Sequence, residues 1–389
     1  MPIDRQFTID TLREIIRIDS RNPELEEGAP AERELAEHVQ RILEPWNWET
    51  ELRDHGRGRA SVLATRRGKG SGRSLMINVH LDTVGVAGMS DPFSAEMRDG
   101  RVYGRGAQDT KGGLAAALAM ARAIHEEDPA LDGDLVLAFV ADEEHASIGT
   151  TDLVEHRLTD AAIVLEPSEL DVCIAHRGFG IFRLRTHGRT AHGGRPDVGI
   201  DANLRMGRVL VALEGLRTRW EKGRSHPLLG AASLHVPMIS GGRQLFIYSD
   251  ECTIDMECRT VPGQSDDEVL AELEAILAKL HEHDPTFRAD VEKVLWQPPH
   301  EIDPERPIVG TVLRAAESVR EEPVHTIGHG WWEDSALLGQ AGVDAVVLGP
   351  TGGGLHTEEE WVETESVVKL AEILRRSAIE YCGPTEPSP

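Results

Sequence analysis

Two histidines and three carboxylates, His80, Asp109, Glu144, Glu166 and His356, are scattered along a chain of 389 residues, and together they have the makings of one dinuclear metal site. Imidazole nitrogens combined with carboxylate oxygens are the donors that zinc, cobalt and manganese accept. Glu143 lies beside Glu144 and is surplus to that ligand set. A spare base next to two cations is the equipment of hydrolysis, because it can take a proton from water that the cations acidify.

Each residue sits where the backbone is expected to turn. In the segment 78–84 (NVHLDTV), extended geometry puts residues two apart on one face, so the Asp82 carboxylate is expected to hold the second ring nitrogen of His80. Standing alone, that segment reads better as a surface histidine beside a turn aspartate. Asp109 lies in a stretch with four glycines in ten residues, 104–113, ahead of a helix, where a carboxylate could bridge two cations. The stretch lacks G-x-x-x-x-G-K-[ST], which argues against a phosphate loop. Asp142, Glu143 and Glu144 follow an apolar run; three adjacent acids are costly to hold together without cations, although a solvated charge run would look the same. Glu166 ends another apolar run, and strand exits are where open α/β sheets keep their ligands. His356 follows the glycines 352–354. Any one of these signals is weak, and their joint occurrence in this order is strong.

The elements that must carry them alternate. Helical spacing covers 8–18, 31–44, 112–126 and 151–156, while short apolar runs at 61–65, 75–80, 135–141 and 161–165 read as strands. That alternation predicts an α/β sheet covered on both sides. From about 178 the order becomes strand 181–186, helix 200–220, strands 233–239 and 251–257, helix 266–283 and strand 287–295, the β-α-β-β-α-β order of a ferredoxin-like unit. Helices 308–320 and 365–381 and a strand near 345–348 resume the first pattern. The expected architecture is a split catalytic domain, 1–178 and 295–389, with a helix-covered mixed sheet and an inserted ferredoxin-like lid at 179–294.

Composition narrows the classes. A net charge of −26 argues against nucleic acid, whose binding needs basic residues to neutralise phosphates. No apolar run approaches the ~20 residues of a membrane span, and the start has no basic segment followed by an apolar one. A cytoplasmic protein is expected. The four cysteines, Cys173, Cys252, Cys258 and Cys382, form no C-x-x-C pair and read as isolated reduced thiols.

These motifs in combination resemble the M20 metallopeptidase and deacylase family, which includes acetylornithine deacetylase, succinyl-diaminopimelate desuccinylase, aminoacylases and glutamate-releasing carboxypeptidases. The resemblance spans essentially the whole chain. It is carried by H-x-D at 80–82, the aspartate after G-R-G, D-E-E at 142–144, E-P-S at 166–168 and the late G-x-x-H-T-x-x-E. It implies that His80 and Glu166 bind one metal and Glu144 and His356 the other, with Asp109 as the bridge, Glu143 as the general base and Asp82 orienting His80. The implied cofactor is two divalent ions, zinc first, with cobalt or manganese as alternatives. Three ligand carboxylates leave such a pair one positive charge, which a hydroxide would balance.

The resemblance extends past residue 178. His192, in T-A-H-G-G-R-P, matches the family's lid histidine, which in dimers reaches the partner's active site and stabilises an oxyanion; alone it reads as a solvated loop residue. It implies a homodimer through the lid. Arg259 matches the arginine of D-x-R-x-x-P-G, suited to a substrate carboxylate or, failing that, to a surface ion pair. Departures also occur. Phe246 stands where many relatives carry a substrate-contacting Asn, which suggests a more apolar pocket. Asp334 falls where relatives carry a polar active-site Asp. Trp331 and Trp332 beside it could line an acyl pocket or belong to the core. The implied function is hydrolysis of the amide of an N-acyl amino acid; a dipeptidase or carboxypeptidase is the alternative, and a non-catalytic relative the rival from another class.

Overall fold

The computed structural model describes residues 2–86, 88–156 and 158–384. Contacts divide the chain into two compact units, Met1–Ile174 with Ile302–Ile327 and Glu333–Pro389, and Ala175–Glu301 with Gly328–Trp332. The expected limits of 179 and 294 fall inside the second unit, because its flanking strands, Gly178–His187 and Arg288–Gln297, run beyond their apolar centres.

The first unit is built on a mixed sheet in the order Glu49–Gly56, Arg59–Arg66, Leu135–Val140, Leu75–His80, Ala161–Val164, Asp344–Val347 and Val172–His176. Leu135–Val140, Leu75–His80, Ala161–Val164 and Asp344–Val347 are mutually parallel. Every residue of these first three strands is buried, as expected where helices cover both faces. The helix Gly112–Glu127 is sunk so deeply that twelve of its sixteen residues are buried, and it packs with the C-terminal helix Thr364–Cys382. Its alanines let neighbours approach closely. A Cβ on Gly113 would stand 3.0 Å from Leu165 Cβ, so a glycine there lets the helix start press on the strand exit that leads to Glu166.

A small antiparallel sheet, in the order Gly352–Gly353, Trp361–Glu363, Arg101–Tyr103, Glu96–Arg98, completes this unit. It matters for the site because the loop between its first two strands carries His356, and Arg101–Tyr103 leads directly into the segment that carries Asp109.

The second unit has four antiparallel strands in the order Ser233–Gly241, Glu251–Thr260, Gly178–His187, Arg288–Gln297, with helices Ala202–Lys222 and Asp266–His283. Taken in chain order, this is the ferredoxin-like β-α-β-β-α-β arrangement. Gly178–His187 alternates buried and half-buried residues, so one face meets the helices. Phe182, Leu184, Ile254 and Met256 from the strands pack there with Met206, Leu213, Val269 and Leu273 from the helices. Both helices start on side-chain caps: Asp201 accepts from the amides of Asn203 and Leu204, and Ser265 forms a reciprocal capping box with Glu268. Among the described residues no helix is long and apolar enough to cross a membrane.

Candidate metal centre

Three neighbouring parallel strands deliver most of the site at their carboxyl ends. His80 is the last residue of Leu75–His80; Glu143 and Glu144 follow Leu135–Val140; Glu166 follows Ala161–Val164. Between Leu135–Val140 and the two glutamates the chain reverses at Asp142, held at φ 67, and the Asp142 carbonyl accepts from the amides of Ala146 and Ser147. Asp109 arrives from the other side, in a kinked turn at φ −117 and ψ 88 that is neither helix nor ladder, followed by a cis Asp109–Thr110 peptide. His356 comes from its loop at φ 57.

The two oxygens of Asp109 face different imidazoles. Oδ1 lies 3.1 Å from His80 Nε2, and Oδ2 lies 3.1 Å from His356 Nε2. Each ring has a second carboxylate beside it, Glu166 Oε1 at 3.4 Å from His80 Nε2 and Glu144 Oε2 at 3.4 Å from His356 Nε2. Two donors on one zinc at ~2.0–2.1 Å stand roughly 3.3 Å apart in tetrahedral geometry, so these spacings fit a cation within each trio. Glu144 Oε1 is buried and has no hydrogen-bond partner among the described residues, as a ligand oxygen awaiting an ion would be. The donor set therefore fits two divalent ions.

Electrostatics point the same way. Burial raises Glu143 and Glu166 well above the usual carboxylate range, and the neighbouring acids add to it. Burial and the charge of Asp109 push Glu144 up to about 7. Asp109 is held low against its burial by hydrogen bonds from His356 and His80. Without cations this cluster keeps protons it does not need elsewhere, and cations would take their place.

Asp82 meets His80 through its backbone and its side chain. The partner of His80 Nδ1 is the main-chain oxygen of Asp82, at 2.9 Å, while the nearer carboxylate oxygen stands off at 3.6 Å. The carboxylate instead accepts from the amides of Glu143 at 3.0 Å and Glu144 at 3.3 Å and from Asn22 Nδ2 at 2.8 Å. One residue thus orients the imidazole with its backbone and anchors the acidic turn with its side chain. The carboxylate still lies beside the ring as an ion-pair partner of His80, while its hydrogen bonds go to the acidic turn.

Asp334 is buried, accepts from Thr150 Oγ1 at 2.5 Å, and raises Glu143 electrostatically. It therefore presents no surface to a substrate. Sequence reasoning missed Asn22 and Arg59. Asn22 donates to both Asp82 and Asp142 at 2.8 Å and accepts from Arg59 Nη2 at 2.7 Å, and Arg59 pairs with Asp142 at 2.8 Å. The only sequence sign at Asn22 is that it precedes a proline, which marks a turn.

The second unit brings His192 and Phe246 together: His192 bridges Ile247, and Gly193 N donates to the Phe246 carbonyl at 2.8 Å. His192 is exposed, and so is Phe246, at 77 %. Arg259 pairs with Glu257 at 2.7 Å and lies over the Phe179 ring. Trp331 is exposed and stacks on His329, whereas Trp332 is half-buried, donates to the Pro298 carbonyl at 3.1 Å and meets Phe179 edge-on.

Comparisons with known proteins place the chain in a family. Residues 76–380 match the model of peptidase family M20/M25/M40. The acetylornithine deacetylase of Myxococcus xanthus is 31 % identical over 363 residues, covering 90 % of this chain and 92 % of that protein. Aminopeptidase PepT from Bacillus cereus superposes with a TM-score of 0.80 at 19 % identity, over 97 % of this chain and 99 % of that one. The YXEP protein of Bacillus subtilis, described as a dinuclear metal-binding peptidase of the M20 family, does so with a TM-score of 0.75 at 15 % identity, over 97 % and 98 % of the chains. The chain belongs to peptidase family M20/M25/M40 and is a metal-dependent hydrolase of that family.

Proposed function

We propose that the protein cleaves the amide bond of N-acyl amino acids, with two divalent ions, zinc by preference, held by His80 and Glu166, by Glu144 and His356, and by Asp109 between them. The observation that carries this reading is the pair of 3.1 Å approaches to the two oxygens of Asp109, with one further carboxylate on each side. Bound there, such ions polarise a carbonyl and acidify water. Glu143 takes a proton from water and returns it to the leaving nitrogen, a role suited to a carboxylate whose burial makes it hold a proton readily. Asp82 keeps Glu143 in place through its amide.

His192 contributes an oxyanion donor. Its Nδ1 accepts from Gly194 N at 3.1 Å, so the neutral ring carries its proton on Nε2, ready to donate. As in the family pattern, it would serve a partner's site in a homodimer. Support for that dimer comes from Ser233–Gly241, an edge strand of its sheet with exposed Met238 and Ile239, a surface suited to pairing. Arg259 would receive a substrate carboxylate in place of Glu257, while Phe246 and Trp331 offer apolar contact to an acyl group. All four cysteines are buried and outside disulfides, which suits a cytoplasmic protein.

The Myxococcus deacetylase favours the deacylase reading, and the likeness to PepT keeps a peptidase as the second. Measuring kcat/KM of the zinc-loaded protein on N-acetyl, N-succinyl and aromatic N-acyl amino acids against dipeptides and tripeptides separates them. The expected result is faster cleavage of an N-acyl amino acid. Preference for peptides moves the assignment to the second reading, and no cleavage of any amide defeats both.

A further inference from the structure

The late motif G-x-x-H-T-x-x-E contains an acid, Glu360, to which neither the ligand set nor the mechanism gives a task. It is 1 % exposed, and its carboxylate gathers four donors. Oε2 accepts from Arg105 Nη1 at 2.7 Å and Gly106 N at 2.9 Å; Oε1 accepts from Gln108 N at 2.9 Å and Asp109 N at 3.0 Å. Its own carbonyl accepts from Gly104 N at 3.0 Å. Arg105 then spans to the other side, donating from Nη2 to the carbonyl of Thr357, next to His356, at 2.9 Å.

The segment 104–109 has irregular backbone, with φ of 153 at Gly104 and 79 at Gly106, so no helix or sheet ladder takes up these amides. A buried carboxylate is an expensive way to satisfy them unless the loop must be held in one place. A glutamine could not do the same, because its amide nitrogen would confront donors with a donor.

We propose that Glu360 is a positioning residue, clamping the Asp109 segment to the His356 loop through Arg105 so that both ions find their shared bridge already in register. This rests on the two-ion reading above. It assigns no contact with substrate: Glu360 acts only through the placement of Asp109 and His356.

The test is zinc affinity by chelator competition, together with the electron paramagnetic resonance of the manganese-loaded protein, which reports spin coupling across a shared bridge. In Glu360→Gln both zinc affinities should fall roughly ten- to a hundred-fold, the range seen when partners of metal ligands are lost, and the coupled signal should weaken. Two ions bound with wild-type affinity and coupling would overturn the proposal. Should circular dichroism show that Glu360→Gln does not fold, Arg105→Lys decides, because it keeps the charge but cannot reach both Glu360 and Thr357. Weakened zinc binding in that variant supports the clamp, and wild-type binding overturns it. A wild-type protein that binds fewer than two ions refutes the two-ion reading itself, whatever the variants do.

Discussion

His80 and His356 approach the two oxygens of Asp109 at the same 3.1 Å, yet 1 % of the first side chain is exposed and 53 % of the second. His80 ends a central strand with a parallel neighbour on each side, and its other nitrogen is fixed by a backbone oxygen. His356 is carried by a loop between strands of two and three residues, held from one side by Arg105 and Glu360. One end of the site is therefore part of the core, and the other is a surface feature aimed at the same carboxylate. On the two-ion reading proposed above, fixed geometry and burial would favour slower exchange at the His80 end than at the half-exposed His356 end.

Glu143 decides whether the buried end holds three ligands or four, since its carboxylate clusters with His80 and Glu166 closely enough to share a cation. On the proposed reading, in which Glu143 is a base and not a ligand, Glu143→Gln should lower kcat by roughly 10²–10⁴-fold with both ions retained, counted by elemental analysis. Loss of one ion would make Glu143 a ligand and sharpen the contrast between the two ends.

The histidines themselves give the next effect. Without metal, His80 balances the buried charge of Asp109, and removing one member of such a buried pair costs about 3–5 kcal/mol. His356 is held by Asp109 and Glu144, which raise its ring to about 10, but with half its side chain in solvent that pairing is screened and worth less than the one at His80. His80→Ala should therefore lower the Tm of the metal-free protein markedly, and His356→Ala should lower it by a smaller amount. Equal Tm losses would erase the comparison.

The same contrast explains what could be read in advance. Leu75–His80, Leu135–Val140 and Ala161–Val164 are continuous apolar runs, and each hands a ligand to the site at or soon after its end, so the buried end was legible from hydrophobicity and one polar residue. The small sheet under His356 was not, because strands of two or three residues are too short to show a period. Glu49–Gly56 also escaped notice: as an edge strand with charged residues on both faces, it lacks the alternation of a half-buried one. Asn22 lies 60 and 120 residues from the two acids it joins, a separation that no local pattern encodes. That Asp82 uses its carbonyl for His80 is likewise a matter of backbone direction, invisible in the order of side chains.

Glu32, a buried acid beside Arg59, extends the comparison to a carboxyl outside the ligand set. It is fully buried; Arg59 Nη1 is 3.7 Å from Oε2, and neither oxygen has a hydrogen-bond partner among the described residues. Burial, reinforced by the charge of Asp82, raises its carboxyl from 4.5 to about 8. A carboxyl that titrates higher in the folded than in the unfolded chain binds more protons when folded. Its stabilising contribution is complete below about 4.5 and is lost as the pH rises through about 8. Glu32→Gln keeps the shape and cannot ionise, so its Tm should match wild type near pH 4.5 and exceed it increasingly toward pH 9, by an amount worth on the order of a few kcal/mol. A Tm difference independent of pH would mean that Arg59 keeps Glu32 ionised throughout. The core beneath His80 would then tolerate an unneutralised acid, and the metal cluster above it would no longer need cations on grounds of burial alone.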